Sequence, residues 1–214
     1  MRMGAPIRRL ILATNENDIL ARFFNTGAYS LGEVRGTLAP AMDIQIASNF
    51  ERYLYYRLGE SPAALRRHMD AFARTGTLTV DAGDGPVDAN IGAGAATTDD
   101  VLGAIDGVWR EHRYVLDPHT ACGWSVAQRL CPPHQPGAAG PAEPVLCLAT
   151  AHPAKFPDAI RQATGENLAR HPQIDELMDL PTRCQTLPND IEAVRAYIQQ
   201  NAGGTNDETT AIHE

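Results

Sequence analysis

Lysine is almost missing from this 214-residue chain. Lys155 is the single lysine, and the other seventeen of its eighteen basic residues are arginine. Lysine chemistry by this chain alone must therefore use Lys155 or the amino terminus. Acidic residues outnumber basic ones, giving a net charge of -8 and a pI of about 5.3. This balance argues against nucleic acid and anionic membranes as partners.

Patterned cysteines and long apolar runs are missing too. The four cysteines have no CxxC spacing and no paired histidines behind them, so no zinc site is predicted. Unpatterned cysteines in an acidic protein of this size indicate free thiols in a reducing compartment, and we expect a cytoplasmic location. No apolar run approaches the length of about 18 residues that a membrane-spanning helix needs.

Two short apolar runs predict buried strands of a parallel sheet. Residues 7–14 and 145–150 both end in Leu-Ala-Thr, and each run leads through a turn into a helical pattern. A strand, a turn and a helix form the repeating unit of α/β folds. In such sheets ligands bind beyond the carboxyl ends of the strands, so Thr14 and Thr150 are the first places to look for chemistry.

Helical periodicity dominates the rest of the chain. Apolar residues recur every three to four positions in segments closed by glycine or opened by a capping residue. The predicted helices lie at about residues 18–26, 42–58, 62–75, 98–109, 117–130, 156–164 and 190–200. Ser61, Thr97 and Asp117 mark three of their starts, and the last helix is predicted to bury Ile191, Val194 and Ile198. We therefore predict an α/β fold that is helix-rich around a few parallel strands and occupies residues 1–200. Residues 81–98 and 132–144 are predicted loops, and residues 201–214 a disordered tail.

Five polar side chains are the best candidates to converge on a site: Asp117, His119, Thr120, His152 and Lys155. Asp117 and His119 fit two ligands of a metal ion, or a base and the residue that orients it. They equally fit a helix cap with a neighbouring surface histidine. The residue pattern alone leaves these alternatives open.

Four blocks of sequence, in one order along the chain, resemble the threonine synthase family. They are ATNENDIL at residues 13–20, MDIQ and ASNFER at 42–45 and 47–52, DPHTA at 117–121, and ATAHPAKF at 149–156. The resemblance implies the C-terminal portion of the tryptophan-synthase-β-like fold (fold type II) of pyridoxal-phosphate enzymes. It also implies a lyase that converts O-phospho-L-homoserine and water to L-threonine and phosphate by elimination and hydration.

The resemblance implies an incomplete catalytic site. In the family, the Schiff-base lysine and the glycine-rich loop that holds the cofactor phosphate lie upstream of the blocks found here. Lys155 matches the AHPAKF segment and not the Schiff-base position. We therefore assign no catalytic residue and no metal ligand, and expect this chain to be a fragment that is inactive alone and partnered by the missing N-terminal part. A fragment should also expose apolar surface.

The resemblance also implies roles for three residues. Thr150 corresponds to the hydroxyl that meets the pyridine nitrogen of the cofactor, although a threonine that merely ends a strand is the plainer alternative. His152 and Lys155 are candidates to bind the substrate phosphate. Asn15, Asn17, Asp117 and His119 are expected to hold turns and helix starts.

Two other functions stay open. One is a non-catalytic C-terminal half that assembles with a separate N-terminal polypeptide. The other, more distant, is a metal-dependent hydrolase that uses Asp117, His119 and His152.

Overall fold

The structure, a computed structural model, describes residues 3–82, 85–131 and 144–202. The chain divides into two compact units, Met1–Asp175 and Glu176–Glu214. All of the predicted loop at residues 132–144 except Pro144 lies outside the described residues, as does the predicted tail beyond residue 202. In the described part of the chain, no helix has both the length and the apolar character needed to cross a membrane.

The first unit alternates short strands with helices. Its strands are β1 (Leu10–Thr14), β2 (Ala28–Ser30), β3 (Thr77–Thr79) and β4 (Ile91–Ala95). Its helices are α1 (Ile19–Thr26), α2 (Phe50–Arg57), α3 (Pro62–Thr75), α4 (Thr98–His112), α5 (Pro118–Leu130) and α6 (Pro157–Thr164), with short 3₁₀ turns at Pro40–Met42 and Pro153–Lys155. Helix α7 (Pro172–Leu177) crosses the division between the units, and α8 (Ile191–Asn201) belongs to the second.

β1 and β4 form a parallel pair in register from Leu10 opposite Ile91 to Thr14 opposite Ala95. Residues 91–95 fall inside the segment predicted to be a loop, so that prediction was wrong there. Glycine and alanine weaken the strand pattern in the sequence, but the packing leaves little room for a side chain at Gly94. A Cβ on Gly94 would lie 3.0 Å from Val126 Cγ1 of α5, and one on Gly92 would lie 2.5 Å from the Arg9 guanidinium.

The predicted buried strand at residues 145–150 was also wrong. These residues form no strand, and Leu146 and Leu148 are 86% and 71% exposed. A strand needs a neighbour to accept and donate its backbone hydrogen bonds. Among the described residues, the backbone of this segment bonds to no other part of the chain.

Two apolar cores lie in the first unit. The first surrounds the Phe23 ring, which is fully buried and meets Phe24, Tyr29, Phe50 and Tyr53 edge-on at centroid distances of 4.7–6.2 Å. The second core packs α4, α5 and α6 together and includes Val101, Ile105, Val126 and Ile160. Ile11 and Ala13 of β1 pack against this second core, while Leu12 packs against the first. β1 therefore lies between the two cores.

Helix starts follow the predicted caps in three cases. Ser61 accepts from the Ala64 N–H at α3, Thr97 and Asp100 form a reciprocal capping box at α4, and Asp117 caps α5. These signals are local, since each side chain bonds a backbone group two or three residues away. Such starts can therefore be predicted from the sequence.

The predicted helix over residues 42–58 was only partly right. Its first part is irregular after the 3₁₀ turn, Ile46 is 60% exposed, and α2 begins at Phe50. Asp43, inside the predicted helix, instead accepts hydrogen bonds from the loop that follows β1. Bonds to distant residues therefore override the helical pattern here.

In the second unit, α8 begins as predicted at Asp190, whose carboxylate accepts from the Ala193 N–H. Its predicted buried stripe was wrong. Ile191, Val194 and Ile198 are 75%, 40% and 57% exposed.

The tight junction between α1 and β2 depends on the small size and the backbone conformation of Gly27. It has a φ of +80° and ends α1 in the left-handed region, and an added Cβ would overlap the carbonyl oxygen of Val80. We expect Gly27→Ala to lower the free energy of unfolding by more than about 2 kcal/mol, because a backbone clash adds to the left-handed penalty of roughly 1 kcal/mol.

The matched control is Gly165→Ala, at the end of α6. Gly165 has a φ of +73° but no atom within 4 Å of the added Cβ. This variant should lose only about 1 kcal/mol in urea unfolding. Equal losses in the two variants would contradict the clash at Gly27.

Candidate functional site

The loop that follows β1 is fastened by the Asp43 carboxylate. Its Oδ1 accepts from Asn15 Nδ2 at 2.6 Å, Asn17 Nδ2 at 3.1 Å and Thr37 Oγ1 at 2.7 Å. Its Oδ2 accepts from the Thr37 N–H at 3.0 Å. We call these four residues, Asn15, Asn17, Thr37 and Asp43, the Asp43 cluster. It joins the first two blocks of the family resemblance at the carboxyl end of β1.

Asn15 and Asn17 are almost fully buried, and their amide groups are engaged on both sides. Asn15 Oδ1 accepts from the Asn17 N–H at 2.9 Å, and Asn17 Oδ1 accepts from the Arg35 N–H at 2.8 Å. Neither amide caps α1, whose first residue follows Asp18 without a side-chain cap bond. The two asparagines instead hold the turn, as predicted, but the prediction that they hold the start of the helix was wrong.

The Asp117 carboxylate accepts hydrogen bonds from four donors at the start of α5. Its carboxylate accepts from the His119 N–H at 2.9 Å, the Thr120 N–H at 3.4 Å, His119 Nδ1 at 3.1 Å and the Thr120 hydroxyl. The Asp117 side chain is 1% exposed. A buried carboxylate is stable only when donors surround it in this way.

His119 extends this group to the 3₁₀ turn at Pro40–Met42. Its Nε2 accepts from the Ala41 N–H at 3.2 Å, so the ring proton lies on Nδ1 and is donated to Asp117. We call Asp117, His119 and Thr120 the Asp117 cluster. With both ring nitrogens engaged, His119 has no free lone pair for a metal ion or a substrate proton.

The fourth block meets the third through ring contacts. The Phe156 ring lies 5.0 Å from the His119 ring, and Lys155 Nζ lies 5.9 Å from the Phe156 ring centroid. All four blocks of the resemblance are therefore connected in space. Hydrogen bonds join the first two, the bond of His119 to Ala41 links the third to the residue just before the second, and this ring contact adds the fourth.

His152 and His171 form a second pair near this block. Their ring centroids are 4.9 Å apart, and His152 Nδ1 accepts from the Ala154 N–H at 3.2 Å. In the described residues, His171 Nδ1 and Thr14 Oγ1 are buried side-chain atoms without a hydrogen-bond partner. The strand pattern singled out Thr14 but not His171, and no local signal in the sequence marks an unpartnered polar atom.

The three predicted ligand-binding residues lie on one surface segment. Thr150, His152 and Lys155 are exposed and no more than five positions apart. A cavity of about 270 Å³ opens beside this segment, between α4, α5 and residues 147–149. Its lining is largely apolar and comprises Val108, His112, Tyr114, Leu116, Thr120, Trp124, Cys147 and Ala149. The three residues do not line it, and their roles stay predictions.

The cysteines are free thiols, as predicted. Burial, reinforced by the Asp117 charge, raises the pKa of Cys122 to about 12. The same two causes raise the pKa of Cys147. Both thiols therefore stay protonated near neutral pH, and a protonated thiol is a poor nucleophile.

Comparison with known proteins agrees with the resemblance read from the four blocks. Residues 120–198 match the family described as "Threonine synthase, C-terminal". Threonine synthase of Pseudomonas aeruginosa is 35% identical over 201 residues, which cover 93% of this chain and 41% of that protein. The Corynebacterium glutamicum enzyme is 36% identical over 211 residues, covering 95% of this chain and 42% of that protein.

Solved structures give the same result. A pyridoxal-phosphate-bound threonine synthase from Brucella melitensis superposes with a TM-score of 0.79 at 38% identity, over 95% of this chain and 42% of that one. Threonine synthase from yeast superposes with a TM-score of 0.77 at 30% identity, over 93% and 43%. This chain spans about two fifths of the length of the relatives that it matches.

The predicted fold class is confirmed by these neighbours, which share a helix-rich α/β architecture with few parallel strands over the part that this chain covers. The agreement extends over nearly the whole chain in both sequence and structure. This chain therefore belongs to the threonine synthase family and corresponds to the C-terminal part of its members.

Proposed function

We propose that this chain supplies the C-terminal part of a threonine synthase, which converts O-phospho-L-homoserine and water to L-threonine and phosphate. The observation that carries the proposal is the superposition of 95% of the chain on a threonine synthase at 38% identity. Pyridoxal phosphate is the proposed cofactor, and it supplies an electron sink for carbanion chemistry when bound.

We propose that this chain supplies only one side of the cofactor site. Gly92 and Gly94 do not form a phosphate cradle, because the Arg9 guanidinium and Val126 fill the space beside them. Lys155, the single lysine, lies beside the Phe156 ring in the AHPAKF block. We infer that the Schiff-base lysine and the phosphate loop belong to polypeptide corresponding to the unmatched three fifths of the relatives.

Thr150 is the proposed contact to the cofactor ring. Its side chain is exposed, so it is free to meet a group held by other polypeptide. A hydroxyl can donate a hydrogen bond to an unprotonated pyridine nitrogen, whereas a carboxylate would hold that nitrogen protonated. Thr150 would thereby temper the electron-withdrawing strength of the ring.

His152 and Lys155 are the proposed contacts to the substrate phosphate. His152 Nδ1 accepts from the Ala154 N–H, so the neutral ring carries its proton on Nε2 and can donate outward. The exposed Lys155 ammonium can add a charge-assisted bond to the same anion. By contrast, the alternative of a hydrolytic metal site has no support, because both ring nitrogens of His119 are engaged.

A chimaera tests the proposed function. The part of the P. aeruginosa threonine synthase that this chain does not match would be joined to residue 1, and phosphate release from O-phospho-L-homoserine measured with added pyridoxal phosphate. We expect turnover by the chimaera and none by this chain alone. Turnover by the isolated chain would refute its incompleteness, and a folded but inactive chimaera would refute the proposed activity.

The same assay on a mixture of the two separate polypeptides addresses the alternative function. If the halves assemble without a covalent link, turnover should appear on mixing. A mixture without turnover, beside an active chimaera, would argue against a stand-alone half.

In the chimaera, Thr150→Ala is expected to lower kcat by about 10-fold to 100-fold. Loss of one hydrogen bond worth about 1–3 kcal/mol produces an effect of this size. The absorption spectrum of the bound cofactor should shift as well, because the ring nitrogen loses its partner. Thr182→Ala, at an exposed threonine of the second unit, is the control and should leave both readouts unchanged. Unchanged kcat and spectrum in Thr150→Ala would overturn the role.

A further inference from the structure

His171 is a half-buried histidine beside the proposed substrate-binding residue His152. The two ring centroids lie 4.9 Å apart with the ring planes at 82°, so one ring meets the other edge-on. His171 Nδ1 is buried and has no hydrogen-bond partner. Because a buried polar atom without a partner lowers stability, this position is not explained by folding alone. His171 also lies outside the four family blocks, and the proposed activity does not yet use it.

The backbone on both sides of His171 is fixed. Ala169 is 6% exposed and packs in the second core. The His171 carbonyl accepts from the Ile174 N–H at 3.0 Å and from the Asp175 N–H at 2.9 Å. Arg170 Nε pairs with the Asp175 carboxylate at 3.1 Å, so this nearby negative charge already has a cationic partner. His171 is thus held in place before any ligand arrives.

The outward nitrogens of the two rings are both available as donors. His152 Nδ1 accepts from the Ala154 N–H, which leaves the proton of the neutral ring on Nε2. His171 Nε2 is not among the buried unpartnered atoms and forms no hydrogen bond within the described residues. Nε2 is therefore the nitrogen of His171 that solvent or a ligand can reach. With its proton on Nε2, as in His152, this ring donates outward.

A metal ion does not fit this pair. A metal at His152 Nε2 would move the ring proton to Nδ1, and the bond from the Ala154 N–H would be lost. Among the described residues, no group of three or more histidine, cysteine, aspartate or glutamate side chains could hold a metal ion. N–H donors of imidazole rings instead suit an oxyanion, and the exposed Lys155 adds positive charge close to His152.

We propose that His171 joins His152 in binding one phosphate group, the phosphate monoester of the substrate. This inference rests on the proposed function, which assigns the substrate phosphate to His152 and Lys155. His171 adds a donor from a different segment of the chain, so the anion is held between two segments rather than by one turn. The released product, inorganic phosphate, has the same chemistry and should bind to the same two rings.

Titration of the 214-residue chain with inorganic phosphate tests the pair without the missing polypeptide. Isotope-labelled histidine rings are followed by NMR at constant pH, with sodium chloride keeping the ionic strength constant. We expect the ring signals of His152 and His171 to shift together and to saturate with one dissociation constant, in the millimolar range. His68, a half-buried histidine of α3, is the matched control and should not shift. A shift confined to His152, or an equal shift at His68, would overturn the inference.

The same spectra report the tautomer of each neutral ring. His152 and His171 should carry the proton on Nε2. By contrast, His119 should carry it on Nδ1, which donates to Asp117, and so provides an internal reference. If the proton of His171 were found on Nδ1, the proposed donor would not exist and the inference would be wrong.

In the chimaera, His171→Leu should raise the KM for O-phospho-L-homoserine about 10-fold or more and leave kcat within about 3-fold, because a bond to a charged group is lost. Inhibition by inorganic phosphate should weaken by a similar factor. His171→Gln, whose amide replaces the Nε2 donor, should recover most of the affinity, which a role in packing alone does not predict. His68→Leu is the control and should leave these values unchanged.

The outcomes separate this inference from the proposed function. An inactive chimaera beside coupled shifts at His152 and His171 would refute the activity and leave the phosphate site standing. An active chimaera whose KM is unchanged by His171→Leu would refute the inference alone. If His171→Leu weakened binding of pyridoxal phosphate, measured by the absorbance of the bound cofactor, and left KM unchanged, the pair would bind the cofactor phosphate and the assignment to the substrate would be wrong.

Discussion

Replacing Asp117 by alanine is expected to lower the free energy of unfolding by about 3–4 kcal/mol. Loss of the α5 cap accounts for about 1 kcal/mol. The rest arises because the His119 Nδ1–H and the Thr120 hydroxyl lose their acceptor in a buried place, at about 1–3 kcal/mol for each unsatisfied donor. The measurement is urea unfolding of the full chain, monitored by tryptophan fluorescence and by circular dichroism.

Ser61→Ala is the matched control for Asp117→Ala. Ser61 caps α3 in the same unit through one bond, from the Ala64 N–H at 3.3 Å, and no buried side chain depends on it. We expect a loss of about 1 kcal/mol for this control. If Asp117→Ala cost no more than Ser61→Ala, the Asp117 cluster would be an ordinary helix cap and nothing else.

Features that depend on neighbouring residues were predicted from the sequence, whereas features that depend on contacts between distant residues were not. Caps such as Ser61, Thr97 and Asp117 were predicted correctly because the donor and the acceptor lie within three residues of each other. β4 was missed because its glycines are typical of a turn, although the packing of Val126, more than thirty positions away, leaves little room for a side chain at Gly94. Residue type alone does not reveal a packing requirement of that kind.

Residues 145–150 illustrate the opposite error. Their apolar pattern predicts a buried strand, and that prediction was wrong. The structure lacks the neighbour that would supply it among the described residues, and the segment stays exposed. The mismatch between pattern and burial is therefore informative, because it marks a surface at which more polypeptide is expected.

In the candidate site, too, the sequence located the residues but not the long-range contacts between them. Resemblance to the family located all four sequence blocks, but the blocks alone did not show that Asp43 and Asp117 fasten them together. Asp43 meets Asn15 across 28 positions, and His119 meets Ala41 across 78. Asp43 and Asp117 consequently act as internal supports, whereas the residues proposed to bind ligands, Thr150, His152 and Lys155, lie exposed on one short segment.

Asp43→Ala is the second substitution with a large expected effect, about 3 kcal/mol of unfolding free energy. The Thr37 N–H and hydroxyl lose their Asp43 acceptor. The buried Nδ2 groups of Asn15 and Asn17 each lose one acceptor as well, although they keep Thr37 Oγ1 and the Arg35 carbonyl. The cost of losing a buried acceptor is about 1–3 kcal/mol for each donor. Asp158→Ala, which removes a 95% exposed carboxylate paired with Arg161, should cost less than about 0.5 kcal/mol.

The double variant Asp43→Ala/Asp117→Ala decides whether the two clusters act together. They meet through the 3₁₀ turn at Pro40–Met42, because the Ala41 N–H donates to His119 and Asp43 follows the turn directly. Once Asp117→Ala has released the His119 ring, the turn is already loosened, and removal of Asp43 should cost less than it does alone. We expect a coupling free energy of about 1 kcal/mol, in the range found for residues of one network. Strict additivity would mean that the first two family blocks and the third are stabilised independently, with the Ala41 bond contributing nothing.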